Sequence, residues 1–325
     1  MKMELIQKSQ TVYDYLSNIL STEGLGNNIY ELAFKSIEEW IIKSENFFNH
    51  ERIQQIVFDA FKSDWFLNVI QILSQAITKS LNAKLFLNVS YKQAFESIKE
   101  NELRFLNSVA QLIIESSEKY EQELEDKYSE FCKEMSDLAN DLLSNFEIIL
   151  LEDNDVSKRL LHFVQLMLQQ KSRNMSIRAM EFFGEFKDTL MQIRTDIEQP
   201  EYLLEHFFIA CRISLEKSQL KSMQFTGRPL KTLYKMNYNI TYNTAQIDEE
   251  DSDDEQENIS TYREYTGDIF FNTYHLIGEY KGKEYKEMFE RIILEYFEAN
   301  DQLDIDSYCK RVESAIFASK SIIDA

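Results

Sequence analysis

Glycine and proline are nearly missing, with seven glycines and two prolines in 325 residues. Turns between strands lean on both, glycine for positive φ and proline for its fixed φ, so a β-sandwich, barrel or propeller is a poor reading of this chain. The same scarcity leaves no raw material for the glycine-rich phosphate cradles of Rossmann and P-loop proteins. Cysteine is sparse and odd in number. Cys132, Cys211 and Cys309 stand far apart, so neither a disulfide framework nor a CxxC zinc pattern can be written with them. Buried free thiols in a reducing compartment are the expectation. No window approaches the roughly 18 uncharged apolar residues of a membrane span. The first twenty residues mix Lys2, Glu4, Lys8 and Asp14 into their apolar positions, unlike a secretory signal. The expected location is therefore cytosol or nucleus. Positive charge is short as well: 35 Lys and Arg face 56 Asp and Glu, a net charge of −21. Such a surface repels phosphate backbones and anionic lipid, so neither nucleic acid nor membrane is an expected partner.

What is present is apolar and periodic. Hydrophobic residues make up 44% and aromatics 13% of the chain, enough to build a packed core. The spacing predicts helices throughout. Ile29, Leu32, Ala33, Ile37, Trp40 and Ile41 form one stripe, and Ile53, Ile56, Val57 and Ala60 another after the break at Asn49 and His50. Further stripes are Phe66 to Ile77 and Leu103 to Ile114, then a long pattern from Tyr120 to Leu151, which the run Asp153–Asp155 interrupts before Leu160 to Leu168. Helices are also expected from about Ser176, from just after Pro200, and over 259–280, 284–297 (apolar stripe Met288, Ile292, Tyr296) and 305–323 (apolar stripe Val312, Ala315, Ile316). About a dozen helices separated by short polar breaks fit roughly 40–47 residues per helix pair. The fold class expected is all-α, an α-α superhelix or solenoid of antiparallel pairs, as one array over 1–325. A Tyr/Asn-rich and acidic insertion at about 223–258 is expected to be flexible. Helical pattern reaches both ends without a polar cap, which leads to the expectation of a longer array or of ends covered by partners.

Candidate chemistry is thin. His162 and His206 lie in apolar helices with no His, Cys or carboxylate one turn away on a convincing face, so packing is the simpler role than metal or base. Cys211 beside Arg212 has a thiolate-stabilising neighbour, yet burial is the better reading. Asp301, Asp304 and Asp306 lack the spacing and the glycine of a calcium loop. No nucleophile–base pair and no cofactor or metal constellation can be drawn, so an enzyme is not expected. One segment stands apart: Asp248, Glu249, Glu250, Asp251, Asp253, Asp254, Glu255 and Glu257 place eight acids in ten residues. Self-repulsion keeps such a run solvated, and it serves either as a spacer or as an electrostatic docking loop for a basic protein surface. Ser252, followed by Asp253, Asp254 and Glu255, fits an acid-directed kinase.

Several segments resemble the transportin-SR branch of the importin-β superfamily, whose members are nuclear transport receptors built of HEAT repeats. Asn28 to Trp40 followed by Asn46-Phe47-Phe48 is similar to a repeat in which Trp ends an apolar helix before an Asn-Phe loop. Asn101 to Leu124 and Asn174 to Leu190, with Phe182 and Phe183, resemble later helices of the same branch. The acidic run, then Tyr262-Arg263, Asp268 to Gly278 and Val312 to Phe317 follow in the family's order. The likeness covers an inner portion of such receptors. It implies a non-enzymatic protein that binds basic protein cargo, the Ran GTPase and Phe-Gly nucleoporins, and that moves between nucleus and cytoplasm. The acidic run would be its charged contact. The other reading the residues leave open is a helical-repeat scaffold subunit of a larger assembly.

Overall fold

A computed structural model describes residues 2–43, 45–80, 100–124, 129–145, 147–151, 154–170, 173–193, 201–219, 253–280, 283–298 and 305–323. Among the described residues there are thirteen α-helices, two short 3-10 helices and no strand, so the chain is all-helical as its periodicity predicts. They gather into two compact units, Met1–Gln199 and Pro200–Ala325.

The first unit contains α1 (Lys2–Leu20), α2 (Asn27–Lys43), α3 (Glu51–Ala60), α4 (Phe66–Ser80), α5 (Glu100–Glu115), α6 (Ser117–Glu123), α7 (Glu130–Asn145), α8 (Asp155–Gln169) and α9 (Arg173–Ile193). Its contacts sort into two rows. In the first row α1 packs on α3 and α5 on α8, with the 3-10 turn Glu45–Asn49 touching both α1 and α5; in the second row α2 packs on α4, α4 on α7 and α7 on α9. The rows are joined by α1 to α2, α3 to α4, α5 to α7 and α8 to α9. Each helix meets its pair mate and its row neighbours, a pattern consistent with an α-helical repeat.

The stripes explain the rows. Val69, Ile70, Leu73, Ala76 and Ile77 of α4 are all buried, as are Met135, Leu138, Ala139 and Leu142 of α7 and Ala179, Met180, Phe183 and Leu190 of α9. Each such Leu, Ile or Met contributes about 1.5–3 kcal/mol by leaving water, far more than helix propensity supplies. In α2 the buried positions are Ala33, Phe34, Ile37 and Ile41, while Ile29 and Leu32 are exposed, contrary to the sequence stripe. Four residues before Phe34 stands Tyr30, and it is Tyr30 that shares that face: its ring lies 5.9 Å from Trp65, which also meets Phe34 at 5.6 Å.

Polar residues set the breaks. His50 is buried and caps α3: its Nδ1 accepts from the amide of Ile53 at 3.3 Å, so Nε2 carries the proton and donates to Asp14 of α1 at 3.0 Å. Asn154 caps α8 by accepting from the Ser157 amide at 2.9 Å, in the interruption expected at 153–155. The long pattern expected from Tyr120 to Leu151 is divided, because α6 ends at Glu123 and α7 starts only at Glu130. Tyr120 remains on the core side of that break, its hydroxyl 2.7 Å from Ser136 and its ring 4.6 Å from Phe163.

The second unit contains α10 (Glu201–Lys217), α11 (Asp253–Tyr280), α12 (Lys283–Phe297) and α13 (Ile305–Ile323). Here α10 packs on α11 and α12 on α13, while α11 also meets α13 and α10 meets α12. Met288 and Ile316, assigned to core stripes by spacing, are exposed; Phe289, Ile292 and Ala315 beside them take the buried positions. An ion pair ties α11 to α13. Arg263 is nearly buried, donates to Glu313 at 2.6 Å and lies 4.5 Å over the ring of Phe317. The two helices approach closely at Gly267, where a Cβ would come within 2.8 Å of the Ser321 hydroxyl.

Removing one half of a buried pair strands the other charge, so Arg263→Ala should destabilise the protein by about 2–4 kcal/mol. Arg263→Met combined with Glu313→Leu should recover most of that loss. Chemical denaturation followed by circular dichroism reads both, and a double variant no better than Arg263→Ala would refute this account of the pair.

Candidate functional site

The second-row helices α2, α4, α7 and α9 together line a groove of about 560 Å³. Its character comes from the polar side of α7. Glu134, Asp137 and Asp141 recur at intervals of three and four residues, so they share one stripe beside the buried stripe of Met135, Leu138 and Leu142. Glu38 of α2 and Glu181 of α9 add two more carboxylates. Against these five acids stands one cation, Arg178 of α9, which pairs with Asp137.

Burial holds the Asp141 carboxyl above the usual carboxylate range, and a hydrogen bond with Ser74 of α4 partly counters that. The side-chain oxygen of Asn140 is buried there with no hydrogen-bond partner among the described residues. The groove thus gathers five carboxylates, of which Asp137 pairs with Arg178 and Glu134 lies 3.7 Å from Lys133 of its own helix, so acids outnumber bases along it. Among the described residues no three His, Cys, Asp or Glu side chains converge as metal ligands. The carboxylates are spread along the groove, which suits several separated positive charges, as on a Lys/Arg-rich protein segment.

The residues singled out from the sequence are placed differently. Asp248, Glu249, Glu250, Asp251 and Ser252 lie outside the described residues, as does 220–252 as a whole. The helix α11 begins at Asp253, so Asp253, Asp254, Glu255 and Glu257 occupy helical backbone in its first turns, within the stretch expected as an insertion. Acids there are favoured by the partial positive charge of a helix N-terminus. Sequence reasoning missed Glu38, Glu134, Asp137, Asp141 and Glu181, although the spacing in α7 was a usable signal.

Cys211 is fully buried, 3.3 Å from the Thr273 hydroxyl, and burial pushes its thiol up to about 12. It stays protonated despite Arg212. His162 is exposed on α8 rather than packed in the core, and His275 is exposed with its ring 4.4 Å from Phe271.

A second acidic locus surrounds Glu147, in the 3-10 turn Glu147–Leu151. Burial, helped by the nearby charges of Glu185 and Asp188, pushes its carboxyl up to about 7, with the hydroxyl of Thr189 donating to it. The folded state therefore binds this proton more tightly than the unfolded chain does. Between about pH 4.5 and 7 the folded state carries the extra proton, so the Glu147 contribution favours folding at the low end and is lost as pH rises. Relative to Glu147→Gln, the wild type should lose about 1–2 kcal/mol between pH 5 and pH 8, once partial exposure is allowed for. Denaturation curves of both proteins at the two pH values measure it, and equal pH dependence would count against the assignment.

No protein-family model matches this chain, and comparison with curated proteins finds no match either. The likeness to the transportin-SR branch rests on the residues quoted for it.

Proposed function

We propose that this chain is a non-enzymatic helical-repeat binding protein that receives a basic segment of a protein partner on its acidic second-row face. The observation that supports it is the groove of α2, α4, α7 and α9, whose lining carries five carboxylates, one arginine and a buried Asn140 oxygen with no hydrogen-bond partner among the described residues. An acidic groove on an acidic protein attracts a cationic segment over a Debye length of about 8 Å at physiological salt. Its affinity falls as salt rises. Taken with the resemblance, the fuller reading is a HEAT-like superhelical receptor of the nuclear import class. In that reading it carries basic cargo, engages Ran and Phe-Gly nucleoporins, and passes between nucleus and cytoplasm. The acidic run from Asp248 to Glu257 is then a second charged contact.

The alternative is a scaffold subunit of a larger assembly. A scaffold role would use the outer helix faces, where Leu32 of α2 is 65% exposed, as contact surface.

Replacing Glu134 and Glu181 by Gln and Asp141 by Asn removes three groove charges from side chains outside the apolar core. Binding of a fluorescent Lys/Arg-rich peptide should weaken about 10- to 100-fold at low salt, with a shallower salt dependence, and folding should be unchanged. Anisotropy titrations at about 50 and 200 mM salt read this. Equal affinity of wild type and variant at both salts would remove the groove from the proposal.

The transport reading has its own test, a pull-down with Ran loaded with GTP or GDP. Selective, salt-sensitive capture of the GTP form, weakened when the acids from Asp248 to Glu257 become Asn and Gln, is the expected result. Absence of capture in both nucleotide states would favour the scaffold.

A further inference from the structure

The second unit holds a different kind of cavity, a pocket of about 360 Å³ lined by Arg212, Glu216 and Gln219 at the end of α10, Glu295 and Tyr296 of α12, and Arg311 of α13. Part of its charge is settled internally. Arg212 donates to both carboxylate oxygens of Glu295, at 3.3 and 3.1 Å. Among the described residues Arg311 forms no ion pair: it donates to the backbone carbonyl of Glu295 at 3.0 Å and stacks 4.9 Å over the Tyr296 ring.

Tyr296 is only 6% exposed, and its buried hydroxyl has no hydrogen-bond partner among the described residues. Burial keeps that hydroxyl protonated, and it feels the charges of Glu216, Arg311, Arg212 and Glu295, so it sits among all four. Glu216 forms no ion pair among the described residues, although it lines the same pocket. A buried orphan hydroxyl costs about 1–3 kcal/mol, which a bound acceptor would relieve.

We propose that this pocket binds a small zwitterion of the α-amino-acid class, with Arg311 and the Tyr296 hydroxyl holding the carboxylate and Glu216 the ammonium group. Glu295 is taken up by Arg212 and, at 3.7 Å, by Arg291, so the lining groups left are the Arg311 cation, the neutral Tyr296 donor and the Glu216 carboxylate. A plain anion would face Glu216 unanswered, and a plain cation would face Arg311; a zwitterion satisfies both. The volume lies near the lower end of the roughly 300–1,000 Å³ of ligand pockets, which fits a small occupant.

Calorimetric titration of the full chain with each proteinogenic amino acid is the test, repeated for any binder with its N-acetyl and methyl-ester forms. At least one free amino acid should bind, and blocking either its ammonium or its carboxylate should weaken binding about tenfold or more. Tyr296→Phe keeps the ring that Arg311 stacks on, and Glu216→Gln alters an exposed side chain. Each should therefore leave the circular dichroism spectrum unchanged and lower affinity about tenfold. The proposal is overturned if no free amino acid binds at about 10 mM, if an N-acetyl form binds as tightly as its parent, or if neither substitution changes affinity.

Discussion

Every helix of the first unit has to bury its apolar stripe against two neighbours at once, a mate in the other row and a neighbour in its own. The stripe of α4 serves α2, α3 and α7 together with six buried positions, Val69, Ile70, Ile72, Leu73, Ala76 and Ile77. This constraint explains why the breaks between helices are built with care. A shift of α3 by one residue would rotate its apolar stripe about 100° away from the core, and His50 guards against it by bonding the Ile53 amide on one side and Asp14 on the other. Asn154 performs the corresponding task for α8. In the second unit the Arg263–Glu313 pair does it from within, orienting α11 and α13 where Gly267 lets them approach.

Electrostatics follow from the same geometry. With the apolar side of each helix committed to the core, the charge of the sequence is confined to the outer faces, and α2, α4, α7 and α9 bring theirs side by side. Glu38 and Glu181 are 143 positions apart in the chain but line one groove. Burial raises the protonation tendency of Asp141 in that groove, and of Glu147 in its own 3-10 turn, where the charges of Glu185 and Asp188 add to it. The two units differ in how they treat this. The groove of the first lines five carboxylates with one arginine, whereas the pocket of the second sets two arginines and two glutamates around a tyrosine hydroxyl.

Resemblance and packing meet at particular residues. Phe47 and Phe48 of the Asn-Phe loop are buried and meet Phe105 edge-on at 5.5 and 5.4 Å, so that loop works as a core wedge between α1 and α5. Arg263, next to Tyr262, reaches Glu313, which belongs to another of the quoted segments. These residues have structural work to do whatever the chain binds.

The sequence by itself determined the helical class, the near absence of turns that strands would need, most of the buried stripes, and the burial of Cys211. Those follow from composition and from a 3.6-residue period, which are local properties. It misjudged Ile29, Leu32, Met288 and Ile316, because periodicity finds an apolar face without saying how wide the covered part of it is. Only the tertiary structure decided which carboxylates share a groove, that α11 opens at Asp253 among the acids, and that Tyr296, Arg311 and Glu216 surround one pocket. Sites of this kind are made of side chains from three or four helices, and which helices stand side by side is fixed by long-range packing that no window of sequence contains.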